Sequence, residues 1–149
     1  ALPPGARIES KGNTPDIRRT EEAALYAYEP EESVERAGLL AQLAEEIGKQ
    51  TSDVSLFQID KKRVFLTSME EIEHRLFKNR YKVLKTQEFS VPQINDYLRN
   101  NDFGTLLLRA SVDPKEYWDI RKRLEEGLGG DRKAHLFLRD KNAILCESL

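Results

Sequence analysis

The sequence predicts an α+β chain made of two small units. Two observations carry this. Residues 23–88 read strand, helix, strand, strand, helix, strand, and residues 89–149 read helix, strand, helix, strand, strand. The second unit is organised around Gly104–Leu128, where a strand pattern runs directly into a helix pattern. Leu106, Leu108, Ala110 and Val112 alternate with Thr105, Leu107, Arg109 and Ser111, as in a strand with one buried face. Asp113 suits a helix N-cap, Pro114 the first helical position, and Glu116 completes a capping box. Tyr117, Ile120, Leu124 and Leu128 then recur at helical spacing, which aims one apolar stripe at the Leu106/Leu108 face.

The remaining elements follow in chain order. Residues 1–22 hold three of the six prolines and two of the eight glycines. They show no apolar period and read as a linker or N-terminal arm. The chain opens on Ala1, the start expected of an excised segment with a further domain upstream. Ala23–Tyr28 is a strand. A helix runs from about Ser33 to Ile47, with acidic residues before it and Gly48 after it. Val54–Ile59 and Arg63–Thr67 flank the polar tip Asp60–Lys61–Lys62 and form a hairpin. Thr67 and Ser68 precede Glu70 and Glu71 by three residues, which predicts a short helix over Met69–Lys78 with Ile72 and Leu76 inward. Tyr81–Phe89 is a strand. This order is that of a ferredoxin-like split βαβ unit. Ser90 with Gln93 starts the next helix, whose face is Val91, Ile94, Tyr97 and Leu98. Lys133–Arg139 and Ala143–Glu147 close the chain as a hairpin.

Composition narrows the functions. The chain has 149 residues, 39% hydrophobic and 34% charged, with 24 basic and 26 acidic residues for a net charge of −2. That excludes a whole-molecule basic field, so any nucleic-acid site must be local. The single cysteine, Cys146, allows no intrachain disulfide and fits a reducing, cytoplasmic setting. No apolar run approaches the roughly 18 residues of a membrane span, and no signal-peptide pattern is present.

YEPEESVERAGLLAQLAEEIG, YKVLKTQEFS and VDPKEYWDIRKRLEEGLGGD, with HLFL and AILCE, resemble the C-terminal part of a group of class I S-adenosylmethionine-dependent methyltransferases. The resemblance covers roughly residues 23–149. It implies a ferredoxin-like domain over 23–88 and a THUMP-like αβαββ domain over 89–149. It also implies a role as the non-catalytic, RNA-binding or RNA-presenting module of an upstream methyltransferase domain. The methyl donor would then bind upstream and no cofactor in this chain. The competing expectation is a protein-interaction or homo-oligomerisation module without nucleic-acid contact.

The residues themselves assemble no catalytic set. His74 and His135 lie in different units, so with one cysteine they make no zinc site. His74, among Glu71, Glu73 and Arg75, reads as a solvated surface residue, and His135 as structural. Cys146 reads as a small buried hydrophobe. Gly127–Leu128–Gly129–Gly130 follows a helix instead of preceding one, which suits a C-cap and turn and not a phosphate loop. Trp118 reads as core or interface in preference to a base-stacking platform. The RNA-binding candidates are Lys82, Lys85, Arg109, Arg121, Arg123, Arg132 and Lys133. Arg109 is expected on the face opposite Leu106 and Leu108, so it would meet Arg121 and Arg123 only at a sheet edge.

Overall fold

The computed structural model describes residues 18–36, 38–49 and 53–149. The expected arm over residues 1–22 therefore lies mostly outside them. Its last part adds a short parallel bridge, Arg19 beside Leu56, with the Thr20 N–H donating to the Leu56 carbonyl at 3.0 Å. The chain divides into two units, Ala1–Lys82 and Val83–Leu149, and the boundary falls within a strand. The broad expectation of mixed α and β structure holds.

The first unit is an antiparallel sheet with helices on one face. Its strands are β1 (Tyr26–Pro30), β2 (Ser55–Gln58), β3 (Val64–Ser68) and the start of β4 (Phe77–Glu88), in the order β2-β3-β1-β4. β1 pairs with β3 through Tyr26↔Ser68 and with β4 through Tyr26↔Lys82. The β2–β3 hairpin turns on Asp60, whose carboxylate accepts the N–H groups of Lys62 and Arg63 and the Arg63 guanidinium.

The helix expected over residues 33–47 is two helices, α1 (Glu32–Arg36) and α2 (Leu40–Ile47). Gly38 breaks them at φ 68°, and the Leu39 N–H closes back on the Val34 carbonyl at 3.0 Å. A glycine in the left-handed region with that bond is a helix C-terminus. Val34, Leu43 and Ile47 still share one apolar cluster with Tyr28, Leu66, Ile72, Leu76 and Phe77.

The helix expected over Met69–Lys78 does not form. Residues 69–76 are irregular, β4 begins at Phe77, and Met69 is exposed. The cause is Tyr28, which lies on β1 below this loop. Its hydroxyl donates to the Glu70 carbonyl at 2.7 Å and accepts the Ile72 N–H at 2.9 Å. The Ser68 hydroxyl also donates to the Glu70 carbonyl, at 2.6 Å, instead of capping a helix. The loop's buried backbone is thus satisfied from the sheet and needs no helical bonds. Ile72 and Leu76 are inward, as expected.

In the second unit, α3 (Val91–Asn100), β5 (Phe103–Arg109), α4 (Pro114–Leu124), β6 (Arg132–Arg139) and β7 (Asn142–Ser148) follow the expected order. Ser90 accepts the Gln93 N–H at 3.5 Å and Asp113 the Lys115 N–H at 2.9 Å, so both expected N-caps are in place. β5 pairs with β6 in parallel, Leu106↔Ala134, and β6 with β7 antiparallel, Leu136↔Leu145. Leu106 and Leu108 are buried with Ile94, Leu98, Leu124, Leu136 and Leu145, and Tyr117, Ile120 and Leu128 pack on them. The strand ends at Arg109, short of the expected Val112, although Ala110 and Val112 still pack on this core.

Candidate functional site

The basic residues singled out by the sequence separate into distinct local settings. Lys82 is exposed on β4 in the first unit. In the second unit, Lys85 and Arg132 are linked through aromatic rings. The Lys85 ammonium lies 5.1 Å from the Tyr97 ring centre, and Tyr97 and Phe103 are 6.4 Å apart. The Arg132 guanidinium lies 4.3 Å from the Phe103 centroid. Arg132 also donates to both Glu147 oxygens at 2.8 Å and to the Asn101 carbonyl at 3.0 Å. The Glu147 hydrogen bond raises the Arg132 pKa above its already high value. Arg132 thus ties α3, β6 and β7 together, and most of its donors are committed.

Arg109 and Lys133 occupy the sheet face opposite the helices. The register Thr105↔Lys133 and Arg109↔Phe137 fixes this, because alternate residues of each strand share a face. Lys133 is exposed, and the Arg109 guanidinium lies 6.0 Å from the Phe137 ring. The same face carries buried His135, Phe137, Ile144 and Cys146. Burial pushes the Cys146 thiol up to about 12, so it is a neutral, unreactive group there.

Arg121 and Arg123 belong to α4. Arg121 donates to Glu125 Oε1 at 3.1 Å, and Glu125 Oε2 accepts the Leu106 N–H at 3.1 Å. The Tyr117 hydroxyl donates to the Leu108 carbonyl at 3.0 Å. Helix side chains therefore occupy backbone groups of β5, which lies at the end of the strand order. Arg123 lies 3.9 Å from Asp119 in an exposed pair, an arrangement worth little on its own.

Two residues depart from their expected settings. Trp118 is not core: it is 68% exposed on α4. Its neighbour Tyr117 takes the inward position, with the two rings edge to face at 5.4 Å. His74 is not a solvated surface group. Its side chain is 12% exposed, Nδ1 accepts the Leu76 N–H at 3.1 Å, and Nε2 lies 3.5 Å from Glu46. Among the described residues, no group of His, Cys, Asp and Glu could hold a metal ion. Nor is any described helix long and apolar enough to cross a membrane.

Two hollows lie on the helical side of the second unit. One, of about 700 Å³, is lined along α4 by Trp118, Arg121, Lys122 and Glu125 among others. The other, of about 640 Å³, lies between α3 and α4 and includes Ser90, Asn95, Arg99 and Arg123. Asn95 braces it by donating to the Leu124 and Glu126 carbonyls at 2.9 and 2.8 Å.

No protein-family model matches this chain. No curated protein matches it either. Solved structures do resemble it. A chain described as a "putative methyltransferase" from Porphyromonas gingivalis W83 aligns with a TM-score of 0.54 at 15% identity, over 89% of this chain and 31% of that one. TrmN from Thermus thermophilus aligns with a TM-score of 0.49 at 12% identity, over 83% of this chain and 45% of that one. An N6-adenine-specific DNA methylase, so described, from Listeria monocytogenes gives 0.45 at 8% identity, over 83% and 39%. At these identities the likeness to the first is one of fold. This chain spans under a third of that neighbour's length.

Proposed function

We propose that this chain is a non-catalytic accessory module of an RNA methyltransferase, a ferredoxin-like unit followed by a THUMP-like unit. It would hold structured RNA for a catalytic domain elsewhere in the same cytoplasmic protein. The observation that carries the reading is the fold match of 89% of this chain to 31% of a chain described as a methyltransferase. The antiparallel order β2-β3-β1-β4 supports the ferredoxin-like part, with the Tyr28-braced loop in place of a second helix. The αβαββ order of the second unit supports the other.

The chemistry of such a module is positional. Holding the substrate in reach of a separate reactive centre removes the entropic cost of bringing the two together. S-adenosylmethionine would be bound by the catalytic domain and not by this chain. Lys82, Lys85, Arg109, Arg121, Arg123, Arg132 and Lys133 are the phosphate-binding candidates. The three lysines are exposed, whereas Arg121 and Arg132 also hold the fold through Glu125 and Glu147. Contacts of this kind attract phosphates without reading sequence.

The test is titration of the chain with a fluorescently labelled RNA hairpin at several salt concentrations. The expected dissociation constant is on the order of 10⁻⁴–10⁻⁶ M at physiological salt, with affinity falling steeply as salt rises. Arg109→Ala should weaken binding equally for hairpins of different sequence. Absence of binding at about 50 mM salt would favour a protein-interaction or self-association module instead. Tight, salt-insensitive binding would defeat the electrostatic mechanism.

A further inference from the structure

We infer that Trp118 is a stacking platform for an unpaired base of the RNA, with Lys115 and Lys122 placed for the flanking phosphates. This rests on the RNA-binding reading above and adds the part of the RNA recognised and the residue that recognises it.

A tryptophan 68% exposed on a helix is unusual, because burying so large a ring is strongly favourable. The inward stripe of α4 is filled by Tyr117, Ile120 and Leu124, all packed on the core of the second unit. Trp118 therefore contributes little to that core. Its helical neighbours are one-sided in charge. On a helix, residues three and four apart lie side by side. For Trp118 these are Pro114, Lys115, Arg121 and Lys122: one apolar residue and three cations.

The acids nearby are Asp119, Glu125 and Glu126, which line the hollow beside the ring together with Arg121, Lys122 and Arg123. Glu125 is held by Arg121 and by the Leu106 N–H. Asp119 lies 3.9 Å from Arg123, about 100° around the helix from Trp118. Arg121 is also oriented onto the ring, its guanidinium 5.4 Å from the Trp118 centroid. Tyr117 meets Trp118 edge to face and braces it. The result is a pre-oriented, largely solvent-facing aromatic ring with Lys115 and Lys122 on its own side of the helix, beside a hollow of about 700 Å³ whose lining is mixed in charge.

An exposed aromatic face with cations three and four residues away on the helix suits a nucleobase attached to phosphates. Every base has a π-face, so stacking tolerates sequence while cations follow the backbone. A paired base is already stacked and cannot use the ring, so the ligand is a single-stranded segment or loop. A neutral apolar protein surface would leave Lys115 and Lys122 without anionic partners.

The chain contains one tryptophan, so intrinsic tryptophan emission reports this ring alone. The probe is unlabelled oligoadenylate of about ten nucleotides, a length that fits one small single-strand site. A blunt RNA duplex is the comparison, and anisotropy of labelled RNA is recorded in parallel. Oligoadenylate should quench the emission in step with the anisotropy change, and the duplex should not. Trp118→Ala should weaken oligoadenylate binding roughly 5- to 100-fold, the range expected for loss of one base–aromatic stack, and Trp118→Phe should restore most of it. Circular dichroism should show both variants folded, since the ring is outside the core.

If the oligomer binds by anisotropy while emission and the Trp118→Ala affinity stay unchanged, this inference fails and the RNA reading stands. If neither RNA binds, both fail. A concentration-dependent blue shift of the emission without RNA would assign the ring to a self-association surface and overturn the inference.

Discussion

Leu108 is 3% exposed in the core of the second unit, on the same strand face as Leu106. Truncating it removes its packing and leaves a cavity that the β5–β6 ladder cannot readily collapse to fill. Leu108→Ala should cost on the order of 2–5 kcal/mol, measured as a shift in the denaturant midpoint at constant slope. A loss under about 1 kcal/mol would mean that the side chain is not packed as the alternation implies. The alternation is legible in the sequence because β5 has one helix-covered face, and a strand's side chains can only alternate. Arg109 follows from the same rule, one residue on and facing the other way. Trp118 departs from the core setting that its aromatic character suggests, although its position carries the contrary signal. With Tyr117, Ile120 and Leu124 inward, a residue one step from Tyr117 lies about 100° around the helix from that position, outside the stripe. The angle decides the setting, and the size of the ring does not.

At the scale of elements, turns set by backbone geometry are easier to read than turns set by distant side chains. Gly127–Gly130 reads as a helix end, and Gly127 indeed has φ 73°. Gly130 has a stronger reason to be glycine. A Cβ there would lie 1.9 Å from the Asp102 carbonyl oxygen, and one at Gly104 would lie 2.0 Å from the Gly130 carbonyl oxygen. Two backbone segments, 102–104 and 130–132, meet at this point, joined by Gly130 N–H to the Phe103 carbonyl at 3.2 Å and Arg132 N–H to the Asp102 carbonyl at 3.0 Å. Gly130→Ala should therefore cost at least about 2 kcal/mol, in the tail reserved for steric and packing failures. A Cβ added at Gly129 would meet nothing within 4 Å, so Gly129→Ala should change stability by under about 0.5 kcal/mol. Thermal melts of the two variants side by side give the comparison, and equal losses would refute it. The break at Gly38 is also visible in ERAGLL, but a continuous apolar spacing on either side conceals it. The loop over 69–76 is not visible. Its capping pattern is real, but the hydroxyl that overrides it belongs to Tyr28, 44 residues from the Ile72 N–H that it accepts.

For the whole molecule, the decisive property is that chemistry-bearing side chains are spent on structure. Cys146 is buried, His74 bonds backbone, Glu125 closes a strand edge, and Glu147 holds Arg132. Local pairs such as Arg121–Glu125 can be read from their spacing of four residues, whereas Arg132–Glu147 depends on the β6–β7 hairpin closing. The same spending bears on small-molecule binding. A phosphate or methyl-donor loop needs free backbone N–H groups at the start of a helix, with room for the ligand against them. The sole glycine cluster stands after α4, and the backbone at Gly130 is in contact with Asp102. Its Gly130 N–H is already donated to Phe103. This chain alone should therefore bind neither S-adenosylmethionine nor ATP. Isothermal calorimetry with each ligand should give no heat beyond dilution. Specific binding at micromolar affinity would show that a site exists which the glycine cluster does not account for, and would overturn this expectation.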